Sequence, residues 1–146
     1  RGQPLFISKQ NKNMIIKYKS LSTREALSKF FHFINAAQLD SSKIITETEI
    51  QVITEFILLP EKFHYQRFST LAKRKVRSIL EEEFSWILSK ENLNNKIYSL
   101  IEKNILSRDE DGVIHIVKHL RIPITELLDA YEKKKNYEII FRYEIN

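Results

Sequence analysis

Cysteine is absent from the chain, which excludes disulfide scaffolds and thiolate zinc sites. Glycine occurs only twice and proline three times in 146 residues. So few glycines argue against a phosphate-cradling loop and against a turn-rich barrel. No apolar run approaches the roughly 20 residues needed to span a bilayer. The first twenty residues, RGQPLFISKQNKNMIIKYKS, lack the long apolar block of a secretory signal. The expectation is a cytoplasmic protein with no membrane partner, or one that works inside an assembly such as a virus particle. Catalytic signatures are missing too: there is no G-x-S-x-G, no Walker loop and no H-E-x-x-H. An enzyme is not expected, and no cofactor is implied.

What is present is a chain that is 42% hydrophobic, enough for a real core. Lys, Ile and Asn are frequent, as an AT-rich genome would make them, so Lys and Asn counts alone carry little. The formal net charge is +5 and the pI is near 9.3. That balance permits contact with phosphates through counterion release, and ordinary Lys-rich domains also reach it. Its distribution is more informative. Residues 61–77 hold Lys62, Arg67, Lys73, Arg74, Lys75 and Arg77 against Glu61 alone. This stretch carries as much net positive charge as the whole chain.

Helix signals recur at regular intervals. Ser22 with Glu25, and Thr46 with Glu49, form capping boxes. Behind the first lie Leu27, Phe31 and Ile34 at helical spacing, with Phe30 and Phe33 widening the apolar face. So wide a face implies contact on two sides or with another subunit. Behind the second lie Ile50, Ile53, Phe56 and Ile57, and Pro60 closes that helix. EKFHYQRF is a connecting loop or short helix. A third helix is expected over 69–84, with Leu71, Val76, Ile79, Leu80 and Phe84 inward. Its cations come first and Glu81, Glu82 and Glu83 last, the reverse of what the helix dipole favours. A negatively charged partner would explain that order, as would plain solvation. A fourth helix, capped by Ser89, carries Leu93, Ile97, Leu100 and Ile101 at i, i+4, i+7, i+8. Asn104 stands at the left-handed position after its end.

Ile105 and Leu106 then start a strand, and Asp111-Gly112 marks a hairpin turn leading to Val113–Val117. Pro123 fits the first turn of a fifth helix, which ends in Lys133, Lys134 and Lys135, where the dipole favours cations. YEIIFRYEI alternates as a strand with Tyr137, Ile139, Phe141, Tyr143 and Ile145 on one face. Residues 1–20 read as a hairpin or as an arm ordered by a partner. The class expected is mainly α with a small antiparallel β component (α+β). The organisation expected is an N-terminal arm or hairpin over 1–20 and a single globular domain over 21–146.

Three helices followed by a β-hairpin, over about residues 46–118, resemble the winged helix-turn-helix superfamily. SKENLNNKIYSLIEKNIL is similar to its recognition helix, and SRDEDGVIHIV to its wing. The resemblance implies that the N-terminal half of the fourth helix enters the major groove of duplex DNA. Lys90, Asn92, Asn94, Asn95 and Lys96 would face bases there, Asn suiting adenine and Lys suiting guanine or phosphate. Lys73, Arg74, Lys75 and Arg77 would hold the backbone. Such a protein would be a transcription or replication factor of a phage or bacterium. Three features depart from the pattern: an apolar link SWILSKEN, an acidic wing tip RDEDG, and a long third helix.

The alternative is a structural or assembly adaptor that uses the same body to bind a protein partner or a second copy of the chain. The acidic tip, the aromatic first helix and the terminal strands favour it. Other signals carry less. His115 and His119 have H-x3-H spacing, but His115 falls in an expected strand and no third ligand is near. His32 and His64 are isolated. Glu81–Glu83 point in different directions on a helix and do not converge. Trp86 is expected to plug the core between the third and fourth helices, or else to anchor an interface.

Overall fold

The computed structural model describes residues 6–10, 13–19, 22–133 and 138–144. Among the described residues, five α-helices and five short strands follow the chain order β1 (Phe6–Gln10), β2 (Asn13–Lys19), α1 (Thr23–Ala37), α2 (Glu47–Ile57), α3 (Thr70–Phe84), α4 (Lys90–Glu102), β3 (Leu106–Arg108), β4 (Ile114–Ile116), α5 (Lys118–Lys133) and β5 (Glu138–Glu144). The class is the expected one, mainly α with a small antiparallel β component. Contacts divide the chain into two compact units, Arg1–Leu39 with Ile122–Asn146, and Asp40–Arg121.

The first unit holds a three-stranded antiparallel sheet in the order β1-β2-β5. β1 and β2 form a hairpin with Phe6 opposite Lys17 and Gln10 opposite Asn13. β5 lies along β2 from Asn13–Glu144 to Lys19–Glu138. Tyr137, Ile145, Lys134 and Lys135 lie outside the described residues. α1 starts at its capping box: the Glu25 amide donates to Ser22 Oγ (3.1 Å) and the Ser22 amide to Glu25 Oε1 (3.2 Å). Leu27, Phe30 and Phe31 are buried, the two rings meeting edge to face at 5.3 Å, while Phe33 and Ile34 are half-buried.

The second unit is built on α2. Ile50, Val52, Ile53, Phe56 and Ile57 are all buried. α3 and α4 both pack on α2 and on each other. Thr46 caps α2 as the sequence indicates, accepting from the Glu49 amide at 3.2 Å, with Glu49 Oε1 accepting from the Thr46 amide at 2.9 Å. Pro60 opens a 3-10 segment, Glu61–Gln66, whose His64 Nε2 lies 2.9 Å from the Leu59 carbonyl.

α3 buries Ala72, Val76 and Leu80, spaced i, i+4, i+8. Val76 and Leu80 are inward as expected, but the rest of the expected face is corrected. Leu71 is 64% exposed, Phe84 is exposed, and Ile79 is only half-buried. Ala72 is small enough to be overlooked, yet it is fully buried. α3 ends at Ser85 in the left-handed region (φ 53°). α5 also differs from expectation: it starts at Lys118, so Pro123 is its sixth residue and not part of its first turn.

A candidate nucleic-acid interface on the second unit

α4 is fixed by its own sequence. Ser89 Oγ accepts from the Asn92 amide at 3.1 Å, and Leu93, Ile97 and Leu100 are fully buried. At the far end Asn104 takes φ 61°. The Ile105 amide then donates to Leu100 and the Asn104 amide to Ile101, the paired bonds of a Schellman turn. Lys43 Nζ adds a cation at the Glu102 carbonyl. The chain passes from this turn into β3, which pairs with β4 from Leu106–Ile116 to Arg108–Ile114.

This anchoring decides which side chains face out. Glu91, Asn92, Asn95, Tyr98 and Glu102 are exposed, and so is Lys90 in the first turn. Asn94 is half-buried, and its Oδ1 is sealed without a hydrogen-bond partner among the described residues. It does not belong to the outward face. Lys96 is half-buried and tethered: its Nζ donates to Thr48 Oγ1 at 3.1 Å and lies 5.9 Å from the Trp86 ring centre. Trp86 is therefore not the core plug that the sequence implies. It is half-buried in the α3–α4 link and, with Leu88, Asn92, Asn95, Lys96, Ser99 and Glu49, lines an open recess of about 360 Å³.

The cations of 61–77 do not act as one group. Arg67 is internal: its Nη1 donates to the Phe56 and Ile57 carbonyls at 3.2 and 2.9 Å, satisfying the last turn of α2. Burial pushes its pKa down, yet a guanidinium keeps its charge. Arg77 bridges: its Nε donates to the Leu88 carbonyl at 3.0 Å and ties α3 to the start of α4. Lys73, Arg74, Arg77 and Lys90 line one recess of about 90 Å³ with Thr70 and Leu93. Lys75 faces elsewhere, into a wider groove that Arg74 also lines.

The hairpin tip is acidic and ordered. Asp109 Oδ1 accepts from the Asp111 and Val113 amides at 2.9 Å, its carbonyl from the Gly112 amide at 3.0 Å. Its Oδ2 lies 2.9 Å from His115 Nε2. The hydrogen bond with His115, then that from Val113, holds the Asp109 carboxyl below the ordinary range, against the opposing effect of burial. Gly112 has φ 80°, as the Asp-Gly signal requires. Arg108 spends its charge over the Tyr98 ring, at 5.1 Å.

Residues 40–121 hold 13 Lys and Arg against 13 Asp and Glu. The unit is neutral as a whole but polarised, basic around α3's first half and acidic at the hairpin tip and at Glu81–Glu83. A second buried feature escaped the sequence reading. Glu49 and Lys103, far apart in sequence, form an ion pair at 2.6 Å with side chains only 6% and 15% exposed. Their position flanking two helix ends was legible; their pairing was not.

Among the described residues no helix is long and apolar enough to cross a membrane, and no three His, Asp or Glu gather as metal ligands. The chain matches no protein-family model, no curated protein and no solved structure.

Proposed function

We propose that the second unit binds duplex DNA as a winged-helix body, without catalysis, with α4 presented to the major groove. One observation carries this reading: Lys73, Arg74, Arg77 and Lys90 surround a single recess at the N-terminal turn of α4, with no carboxylate in its lining. A helix N-terminus adds positive potential at that point. A phosphate seated there would bring Asn92 and Asn95, on the exposed face, toward base edges. Asn94 and Lys96 are left out of the contact, and Arg67 supports the body only.

The test is duplex binding by fluorescence anisotropy across a salt series. Three to four phosphate contacts give a slope of log affinity against log salt near −3, since each contributes about −0.9. Changing Lys73, Arg74 and Lys90 to Ala should make that slope shallower by about 2 to 3. Absence of binding at low salt, or an unchanged slope in the triple variant, removes the reading.

A protein-binding adaptor is the second reading. It is favoured by the acidic tip of β3–β4 and by Ile87, which is 80% exposed beside Trp86. Neutrality of the unit also favours it. Ile87→Ser should then abolish a complex or oligomer seen by light scattering without changing the unfolding midpoint. A monodisperse monomer in the unaltered chain counts against it.

A further inference from the structure

A wide depression on the second unit lies between the 3-10 segment 61–66 and α3. It is an open groove of about 620 Å³. Tyr65, 90% exposed, and Leu71, 64% exposed, give it an apolar lining together with Phe63. Lys62, Arg74 and Lys75 rim it, and no carboxylate lines it. Glu82, hydrogen bonded to Ser78 at 3.2 Å, marks where the basic rim stops. The volume is that of a ligand site, although the groove is too open for a buried small molecule.

An almost fully exposed tyrosine usually costs little and does little, but this one stands on an unusually firm base. The segment that carries it is held by His64 to the Leu59 carbonyl and, just after it, by Arg67 to the end of α2. Buried Phe68, which follows Arg67, meets Phe56 at 4.7 Å with the rings tilted by 37°. The Tyr65 ring is therefore presented from a tethered segment, in a groove that Lys62, Arg74 and Lys75 also line. Arg74 belongs to this groove and also to the recess at α4. One guanidinium thus stands between the two, and a strand leaving the α4 recess would meet it before reaching Tyr65.

We propose that this groove is a stacking platform for unpaired nucleotides, Tyr65 taking the face of a base and Lys62, Arg74 and Lys75 the flanking phosphates. A base offers the flat apolar surface that the ring and Leu71 suit, and its backbone the charge that the rim suits. The choice of nucleic acid over an acidic peptide rests on the duplex reading above, through the shared Arg74. The protein would accordingly prefer a duplex that carries a single-stranded extension.

The experiment compares a blunt duplex with the same duplex bearing an unpaired thymidine tail of about six nucleotides. The tail should tighten binding about tenfold. Tyr65→Ala should remove that gain and leave blunt-duplex affinity unchanged, while Tyr65→Phe should keep it. Tyr65 is so exposed that neither variant should shift the unfolding midpoint. Equal affinity for blunt and tailed duplexes overturns the platform and spares the duplex reading. Tyr65-dependent binding of the single strand with no blunt-duplex binding does the opposite. Displacement of the tail by a poly-glutamate peptide, unaffected by Tyr65→Ala, overturns the platform in favour of a simple charge contact.

Discussion

Replacing Lys103 with Met would strand the Glu49 carboxylate inside the second unit, and the structure sets the scale of the damage. Glu49 Oε1 receives Lys103 Nζ at 2.6 Å and the Thr46 amide at 2.9 Å, and its side chain is only 6% exposed. Burial alone would raise the Glu49 pKa. Hydrogen bonds from Lys103, Ser99 and the Thr46 amide, and the charge of Lys103, outweigh it and hold the group below its ordinary value. In the unaltered protein this carboxylate therefore contributes stability that is present above the unfolded-state pKa, about 4.3. That contribution is lost as pH falls through the lower folded value.

Met keeps the length of the lysine stem but removes the partner, leaving burial opposed only by neutral donors. Breaking a buried pair from one side costs about 3–5 kcal/mol, a large part of a typical domain's stability. With a urea m-value of about 2 kcal/mol per molar, the midpoint should fall by roughly 2 M. The deficit should be largest at neutral pH and shrink as pH falls, beginning above the usual glutamate range, where burial without its partner makes the stranded group take up a proton. Glu49→Gln with Lys103→Met should recover much of the loss, since Gln still completes the capping box. Urea melts of the four proteins at neutral and acidic pH decide the matter. A K103M deficit under about 1 kcal/mol, or one independent of pH, would show that the pair behaves as a surface contact and refute the reasoning.

Three further expectations are simpler. Arg67→Ala should cost about 1–3 kcal/mol, because two α2 carbonyls lose their donor, yet leave the salt slope of duplex binding unchanged; a shallower slope would return Arg67 to the interface. Gly112→Ala should cost about 1–2 kcal/mol from backbone alone, since a Cβ there meets nothing within 4 Å; Gly112→Asn should cost less, and equal losses in thermal melts would point to packing instead. The Asp109 carboxyl should titrate by NMR below the ordinary aspartate range and move up in His115→Ala. Because that folded value is depressed, the order it lends to the tip is present above the unfolded pKa and lost as pH falls; an unmoved titration in the variant would deny His115 its role.

How much of this could be read from the chain follows a physical division. Signals confined to four or five residues were legible. The capping boxes at Ser22 and Thr46, the cap at Ser89, the left-handed Asn104 and the Asp111-Gly112 turn all depend on local geometry, and all are present. The stripe of α4 was legible because Leu93, Ile97 and Leu100 are unbroken by competing apolar residues. Val76 and Leu80 of α3 were legible, but Ala72 completes their face, while the larger Leu71 and Phe84 sit off it.

The charged groups were read worst, since a sequence shows a cation but not what it already holds. Arg67 at α2, Arg77 at Leu88 and Lys96 at Thr48 all counted as available charge. Each is at least partly committed across eight or more residues, a range that no local pattern encodes. Pro123 misled for a related reason: proline is tolerated early in a helix, and nothing nearby fixes how early.

The half-buried position of Trp86 has a practical consequence. It is the chain's only tryptophan, and it shares its recess with Asn92, Asn95 and Lys96. The protein thus carries one built-in fluorophore at the very spot where any occupant of the α4 face would arrive. Its emission colour and quenching should register that arrival without dye or tag, and should do so separately from events at Tyr65, whose weaker emission belongs to another spectral band.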